Sequence, residues 1–142
     1  MSLVTLIVDD DPMMCFIQKK FLKVSEFSQE PLSFSNGLLA LNYLQNNYIP
    51  ANEYLVFLDI NMPVMNGWDF LQEISNKFSE RNLHVIMVSS STLIAERNKA
   101  KSFHHVVDYF EKPLNRAHLE QIKEMVNSWL YAPVKAGRPF QG

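Results

Sequence analysis

The sequence is poor in cysteine and lacks long apolar runs, and each shortage excludes a class of protein. Cys15 is the only cysteine among 142 residues. An internal disulfide therefore cannot form, and a cysteine-based metal site is not expected. No apolar run approaches the roughly 20 residues that a membrane-spanning helix requires. The N-terminus enters an apolar run without a basic leader, so we expect no signal peptide.

The sequence also lacks a strong charge of either sign. The formal net charge is −2, which argues against nucleic acid or an anionic membrane as the main partner. The hydrophobic fraction of 47% and the charged fraction of 20% are ordinary for a globular protein. We therefore expect a cytoplasmic protein of one domain, covering residues 1–130. Residues 131–142 have no periodicity and are expected to form a flexible tail, too short to fold as an output domain.

Two apolar runs lead directly into aspartates. The run at residues 54–58 ends at Asp59, and the run at residues 3–8 ends at Asp9, Asp10 and Asp11. Consecutive apolar residues are typical of a strand that is buried on both faces of a parallel sheet. Each aspartate then lies at the carboxyl edge of that sheet, where ligands of open α/β folds bind.

Strand and helix patterns alternate five times along the chain. Such alternation predicts a parallel sheet with right-handed crossovers. Five strands fit a flavodoxin-like (βα)5 α/β fold, doubly wound, with strand order 2-1-3-4-5 and its switch point between strands one and three. We expect the following inward-facing residues: Met14, Ile17, Phe21 and Val24 in the first helix; Leu38, Leu41, Leu44 and Tyr48 in the second; Leu93, Ala100 and Phe103 in the fourth.

Four strand ends carry polar groups to one edge of this predicted sheet: Asp9 with Asp10, Asp59, Ser89 and Lys112. Clustered carboxylates repel one another unless a cation joins them, and oxygen ligands favour Mg²⁺. A carboxylate can itself attack a phosphoryl group, whose charge then needs a cationic group and a hydrogen-bond donor. The residues therefore predict phosphoryl transfer to an aspartate. Ser90 and Ser91 are alternatives to Ser89 as the inward hydroxyl.

These residues resemble the receiver domain of two-component response regulators, of which the chemotaxis-type single-domain regulator is the best known. The resemblance covers residues 3–130. It rests on four motifs in order: Val8-Asp9-Asp10-Asp11-Pro12, Leu58-Asp59-Ile60-Asn61-Met62-Pro63 with Asn66-Gly67, Ser89 at thirty positions after Asp59, and Tyr109-Phe110-Glu111-Lys112-Pro113.

The resemblance implies a role for each matching residue. Asp59 is expected to be the phosphorylated aspartate. Lys112 and Ser89 are expected to be the catalytic groups that contact the phosphoryl oxygens, and the Lys112–Pro113 bond is expected to be cis. Ser89 and Tyr109 would be the switch residues. A Mg²⁺ cofactor would be held by a set of four residues: Asp9, Asp10, Asp59 and the backbone carbonyl of Asn61.

The resemblance further implies a stand-alone signalling protein rather than a conventional enzyme. Its donor would be a histidine kinase or a histidine phosphotransfer protein, and its downstream protein target is unknown; a homodimer is a further hypothesis. One alternative is a phosphatase of the haloacid-dehalogenase type, which needs a second aspartate where this chain has Asn61. Another alternative is a receiver-shaped binding module that is never phosphorylated.

Overall fold

The computed structural model describes residues 2–24 and 30–131. It contains the predicted alternation of five strands and five helices. The strands are β1 (Leu3–Val8), β2 (Leu32–Phe34), β3 (Glu53–Leu58), β4 (Leu83–Ser89) and β5 (Val106–Glu111). The helices are α1 (Pro12–Val24), α2 (Gly37–Asn47), α3 (Gly67–Lys77), α4 (Ile94–Lys101) and α5 (Arg116–Tyr131). The predicted tail beyond α5 lies outside the described residues.

The strands form one parallel sheet in the order β2-β1-β3-β4-β5, which confirms the predicted topology. Strands β1 and β3 are neighbours, with Val8 opposite Leu58. The amide of Asp59 donates to the carbonyl of Val8 over 2.9 Å. The residues that follow the two strands therefore leave the sheet side by side, as expected at the switch point.

Each face of the sheet has its own buried layer. Leu6, Val56 and Met87 lie on the face covered by α2, α3 and Ala100 of α4. The other face carries Ile7, Phe57 and Ile86, which pack against Leu22 of α1 and the inner face of α5. Because strands β1, β3 and β4 are covered on both sides, their apolar runs are continuous rather than alternating.

The predicted inner faces of three helices were wrong in detail. Ile17 of α1 is 46% exposed, whereas Leu22 is fully buried. Two rows of residues run along α1 at helical spacing, one through Ile17 and one through Leu22. The row through Leu22 is buried and also contains the polar Gln18, which is 3% exposed. In α2 and just before α4, Leu38 and Leu93 were also predicted to face inward, yet they are 38% and 61% exposed.

The loop after β3 contains a strained residue. Val64 has a φ of 68°, a region that a β-branched side chain rarely adopts. The amide of Met65 donates to the carbonyl of Pro63 over 2.8 Å, which closes a three-residue γ-turn around Val64. The Val64 side chain is 78% exposed, so its packing offsets little of the backbone strain.

We expect Val64→Gly to raise the free energy of unfolding by about 1 kcal/mol. Relief of the backbone strain is worth about 1–3 kcal/mol, and the added freedom of glycine in the unfolded chain removes up to about 1 kcal/mol of that gain. Urea unfolding of the two proteins measures the difference. A less stable glycine variant would mean that the Val64 turn is not strained.

Candidate functional site

Asp9 and Asp59 stand next to each other at the carboxyl edge of the sheet. They are 3% and 7% exposed. Asp59 Oδ1 accepts a hydrogen bond from the amide of Ile60 over 2.9 Å. Asp9 Oδ1 accepts one from the amide of Asp11, also over 2.9 Å. Each carboxylate is therefore held by the loop that follows its strand, with its second oxygen left for the pocket.

Asp10 completes a cluster of three carboxylates. One oxygen from each of Asp9, Asp10 and Asp59 lies within 4.8 Å of the others. Asp10 is exposed and the other two are buried, so the cluster opens to solvent on the Asp10 side. Asn61 is exposed and follows Asp59 by two positions. Three convergent carboxylate oxygens with one open side fit Mg²⁺, which prefers oxygen ligands and retains several waters.

Lys112 supplies the positive charge of the pocket. Its Nζ lies 2.7 Å from Asp9 Oδ2 and 3.5 Å from Asp59 Oδ2. The backbone amide of Lys112 donates to the carbonyl of Ser89 over 2.9 Å, so the ends of β4 and β5 fix its position. The peptide bond from Lys112 to Pro113 is cis, as predicted.

The electrostatics of the pocket follow from placing two buried carboxylates, Asp9 and Asp59, beside one ammonium group. Burial, followed by the charge of Asp9, raises the pKa of Asp59 to about 6. Burial alone would lower the pKa of Lys112, but its hydrogen bond to Asp9 and the charge of Asp59 outweigh burial and raise it. Lys112 is therefore cationic at neutral pH, and Asp59 is an anion that another cation would further stabilise.

Ser89 lies at the end of β4 and is 1% exposed, whereas Ser90 is exposed. The Oγ of Ser89 accepts a hydrogen bond from the amide of Ser91 over 3.1 Å. That bond occupies a lone pair of the oxygen and leaves the hydroxyl hydrogen as a donor. Tyr109 of β5 is 5% exposed, and its hydroxyl donates to the carbonyl of Ser91 over 3.4 Å.

Cys15 lies beside this pocket on α1. Its Sγ donates to the carbonyl of Asp9 over 3.3 Å. Burial and then the charge of Asp9 raise the pKa of the thiol to about 11. A neutral thiol is a poor nucleophile, so Cys15 packs against the pocket rather than taking part in its chemistry.

Sequence reasoning treated Gly67 only as a turn residue, but it also determines the position of Asp59. A Cβ at Gly67 would lie 2.5 Å from the carbonyl oxygen of Asp59 and 3.0 Å from the Cα of Ile60. The amide of Gly67 donates to the carbonyl of Ile60 over 2.8 Å. The first turn of α3 thus packs directly on the backbone of the acidic residue, and only glycine fits.

Gly67→Ala is expected to lower the free energy of unfolding by about 1–3 kcal/mol, because the new methyl group overpacks a backbone contact. It should also slow phosphorylation, because Asp59 must move. Chemical unfolding and phosphoryl incorporation measure the two effects. Gly37→Ala is the matched control, since its Cβ would crowd the carbonyl oxygen of Met65 at 2.9 Å. Equal losses of phosphorylation in both variants would contradict a specific effect on Asp59.

Comparison with known proteins agrees with the geometry of this pocket. The family model described as "Response regulator receiver domain" matches residues 5–124. The chain belongs to the response regulator receiver domain family. A solved two component response regulator from Cytophaga hutchinsonii matches with a TM-score of 0.77 and 27% identity, over 88% of this chain and 96% of that chain.

Two curated relatives match this chain over part of their own longer sequences. The transcriptional regulatory protein HptR of Staphylococcus aureus is 38% identical over 87 residues, which are 61% of this chain and 31% of that protein. The two-component response regulator ORR26 of Oryza sativa subsp. japonica is 32% identical over 125 residues, which are 87% of this chain and 19% of that protein. The chain thus spans a third or less of the length of these relatives.

The family defines the general chemistry of this receiver domain. Receiver domains are signalling phospho-acceptors that are phosphorylated on an aspartate, and they bind Mg²⁺ at an acidic pocket. Response regulators interact with histidine kinases or phosphotransfer proteins. In the part of the chain that the structure describes, none of the helices is long and apolar enough to span a membrane.

Proposed function

We propose that this receiver domain accepts a phosphoryl group on Asp59 from a phosphohistidine of a histidine kinase or a histidine phosphotransfer protein. The observation that carries the proposal is the position of Lys112, whose Nζ lies 2.7 Å from Asp9 and 3.5 Å from Asp59. A cation between the two buried carboxylates partly neutralises the pocket. It can also pair with the oxygens of an incoming phosphoryl group.

The transfer is a displacement at phosphorus. A carboxylate oxygen of Asp59 forms a new O–P bond while the N–P bond of the phosphohistidine breaks. The bonding electrons leave with the imidazole nitrogen, which takes up a proton. The product is an acyl phosphate on Asp59. Hydrolysis of this bond by water returns the free carboxylate and resets the protein.

Two side chains act on the charge of the phosphoryl group. The Lys112 ammonium group replaces part of its contact with Asp59 by contacts with the phosphoryl oxygens. The hydrogen bond from the Lys112 amide to the carbonyl of Ser89 keeps the residue close to the phosphorylation site. Ser89 supplies its free hydroxyl hydrogen from the end of the neighbouring strand. Preorganised donors of this kind lower the barrier because they need little rearrangement when the charge develops.

Asp9, Asp10 and Asp59, with the backbone carbonyl of Asn61, are the residues that would hold Mg²⁺. When bound, the ion would offset the repulsion between the carboxylates and the incoming phosphoryl group. The fit rests on the three carboxylate oxygens that lie within 4.8 Å of one another. The raised pKa of Asp59 supports the same conclusion, because this pocket has more negative than positive charge.

The phosphorylated protein would signal through Ser89 and Tyr109. Phosphorylation adds about −1.5 to −2 charges, and the Ser89 hydroxyl is the group on β4 that would respond. Tyr109 contacts the same segment through the carbonyl of Ser91. A shift at Ser89 would therefore be transmitted to the surface formed by α4, β5 and α5, where a downstream protein would bind.

The phosphatase alternative has little support in this pocket. Such an enzyme needs a general acid and base two positions after its nucleophile, and this chain has the amide of Asn61 there. The inert binding module is not favoured either, since Lys112 lies 3.5 Å from the buried Asp59 carboxylate and so places a charge-stabilising group where phosphoryl transfer requires one.

Incubation with acetyl phosphate and MgCl₂, followed by mass measurement of the intact protein, separates the three possibilities. A receiver that functions as proposed gains one phosphoryl group, which is lost again by hydrolysis. Steady release of phosphate from small phosphomonoesters would indicate the phosphatase. Absence of any adduct with acetyl phosphate and with a phosphorylated histidine protein would indicate the binding module.

A further inference from the structure

Arg97 of α4 makes two contacts with Tyr109 of β5. The central carbon of its guanidinium group lies 4.7 Å from the centroid of the Tyr109 ring. Its Nη1 donates to the backbone carbonyl of Tyr109 over 3.2 Å. The hydrogen bond fixes where the guanidinium sits, and from that position the cation covers the face of the ring. Arg97 thus holds both the backbone and the side chain of one residue.

The Tyr109 ring lies between Arg97 and the segment that follows β4. Its hydroxyl donates to the carbonyl of Ser91 over 3.4 Å, and the amide of Ser91 donates to the Oγ of Ser89 over 3.1 Å. The hydroxyl of Ser91 in turn donates to the carboxylate of Glu96, which precedes Arg97 in α4. One turn of α4 therefore contacts both the ring and the segment that carries the Ser89 hydroxyl.

An ion pair does not account for the position of Arg97 against Tyr109. Among the ion pairs that join described residues, none includes Arg97. The nearby carboxylates have other partners. Asp108 Oδ1 accepts a hydrogen bond from the amide of Tyr109 over 2.8 Å, and Glu96 accepts a hydrogen bond from the hydroxyl of Ser91. The aromatic face and the carbonyl of Tyr109 are the groups that orient this guanidinium.

We propose that Arg97 is a positioning residue that holds the Tyr109 ring in its buried orientation and so sets how strongly the phosphorylation pocket is coupled to the α4–β5 surface. This inference rests on the proposed function of Asp59 and Ser89. It adds a residue outside the four motifs. Outward rotation of the ring would break its contact with the cation and its hydrogen bond to Ser91 together. Removal of the Arg97 charge should therefore loosen the ring and weaken binding of a phosphoryl group.

A double-mutant cycle tests the proposal, with beryllofluoride and MgCl₂ as the probe of the pocket. The variants are Arg97→Met, Tyr109→Leu and the double substitution, and calorimetry gives the beryllofluoride affinity. We expect Arg97→Met to weaken binding about threefold when Tyr109 is present, which is typical of a cation–π contact at a partly exposed site. In the Tyr109→Leu background the same change should have a clearly smaller effect, because only the hydrogen bond to the backbone carbonyl of residue 109 is then lost. Arg97→Lys should restore most of the affinity, because it keeps the cation.

A second measurement follows the ring itself, without any phosphoryl mimic. NMR of ¹³C-labelled tyrosine with a soluble paramagnetic probe reports the exposure of Tyr109, which is assigned from Tyr109→Phe. Arg97→Met should increase that exposure, and Lys101→Met, which removes an exposed charge from the same helix, should not. An unchanged ring, or an equal loss of beryllofluoride affinity in both Tyr109 backgrounds, would overturn the proposal. If the unaltered protein failed to bind beryllofluoride, the proposed function would fail, while the ring measurement would still decide the role of Arg97.

Discussion

Asp59→Asn is expected to abolish phosphorylation and, in metal-free protein, to raise stability at neutral pH. Loss of the adduct follows because an amide is not a nucleophile toward phosphorus. The gain in stability follows from the raised pKa of Asp59, about 6. That carboxylate is less favourable in the folded pocket than in the unfolded chain, where its pKa is about 4. The substitution removes a charge that burial and Asp9 disfavour.

The pH dependence of this gain has a definite sign. Between pH 4 and 6 the folded protein retains the Asp59 proton while the unfolded chain releases it, so stability falls as pH rises through this window. The variant lacks this loss. The two proteins should therefore unfold with equal free energy near pH 4, and the variant should be about 1–2 kcal/mol more stable at pH 7. Urea unfolding in EDTA across this range measures the gap.

Asp69→Asn is the matched control for this prediction. Asp69 is an exposed acid in the first turn of α3 and is not one of the three clustered carboxylates. This control should keep the phosphoryl adduct and should not gain stability at pH 7. An adduct that persists in Asp59→Asn would place the modification on another residue. A stability gap that stays constant between pH 4 and 7 would mean that titration of Asp59 is not its cause.

Lys112→Met should have the opposite effect on stability while also disabling the site. Methionine keeps much of the length of the side chain but removes the charge that lies near Asp9 and Asp59. The buried carboxylates would then repel each other without a counter-charge. Breaking a buried ion pair by removing one partner costs about 3–5 kcal/mol. Because Lys112 keeps some exposure, we expect a loss near the lower end, about 3 kcal/mol.

The phosphorylation rate of Lys112→Met should fall by about 100-fold or more, which is typical when one preorganised charge-stabilising group is removed from an active site. Added MgCl₂ should restore part of the lost stability, because a divalent cation can replace the missing charge between the carboxylates. The control is Lys123→Met, which removes a partly exposed lysine of α5 that is paired with Glu120 rather than with the pocket. Unchanged stability and rate in Lys112→Met would contradict the role given to the Lys112–Asp9 contact.

The topology and the strand ends were predictable because they depend on patterns within single segments. The run before Asp59 is apolar at consecutive positions, which is typical of a central parallel strand. Alternation with helices then limits the connections to a right-handed, doubly wound sheet. Once the strand order is known, Asp9 and Asp59 must leave the sheet at adjacent positions. Their proximity could therefore be expected before any coordinate was known.

Helix orientation and tertiary contacts were less accessible from the sequence. In α1 the row of residues through Ile17 and the row through Leu22 both have helical spacing. The row through Leu22 is the buried one, but it contains the polar Gln18, so the sequence favoured the other row as the inner face. The close approach of Gly67 to Asp59 depends on how α3 packs on the loop after β3. The contact of Arg97 with Tyr109 joins residues on different elements through side-chain orientations. Spacing along the chain predicts neither of these contacts.

Helix α4 has only eight residues, and among them only Ala100 is buried. By contrast, α5 buries Leu119, Ile122, Val126 and Trp129 against the sheet. The ring centroids of Trp129 and His84 are stacked 3.7 Å apart. Local opening needs least free energy where few apolar groups leave the interior. A displacement of α4 would thus remove little apolar surface of the helix itself from the interior. Substitutions at the solvent-facing positions of α4 would therefore change how the helix responds to phosphorylation and leave the hydrophobic core unchanged.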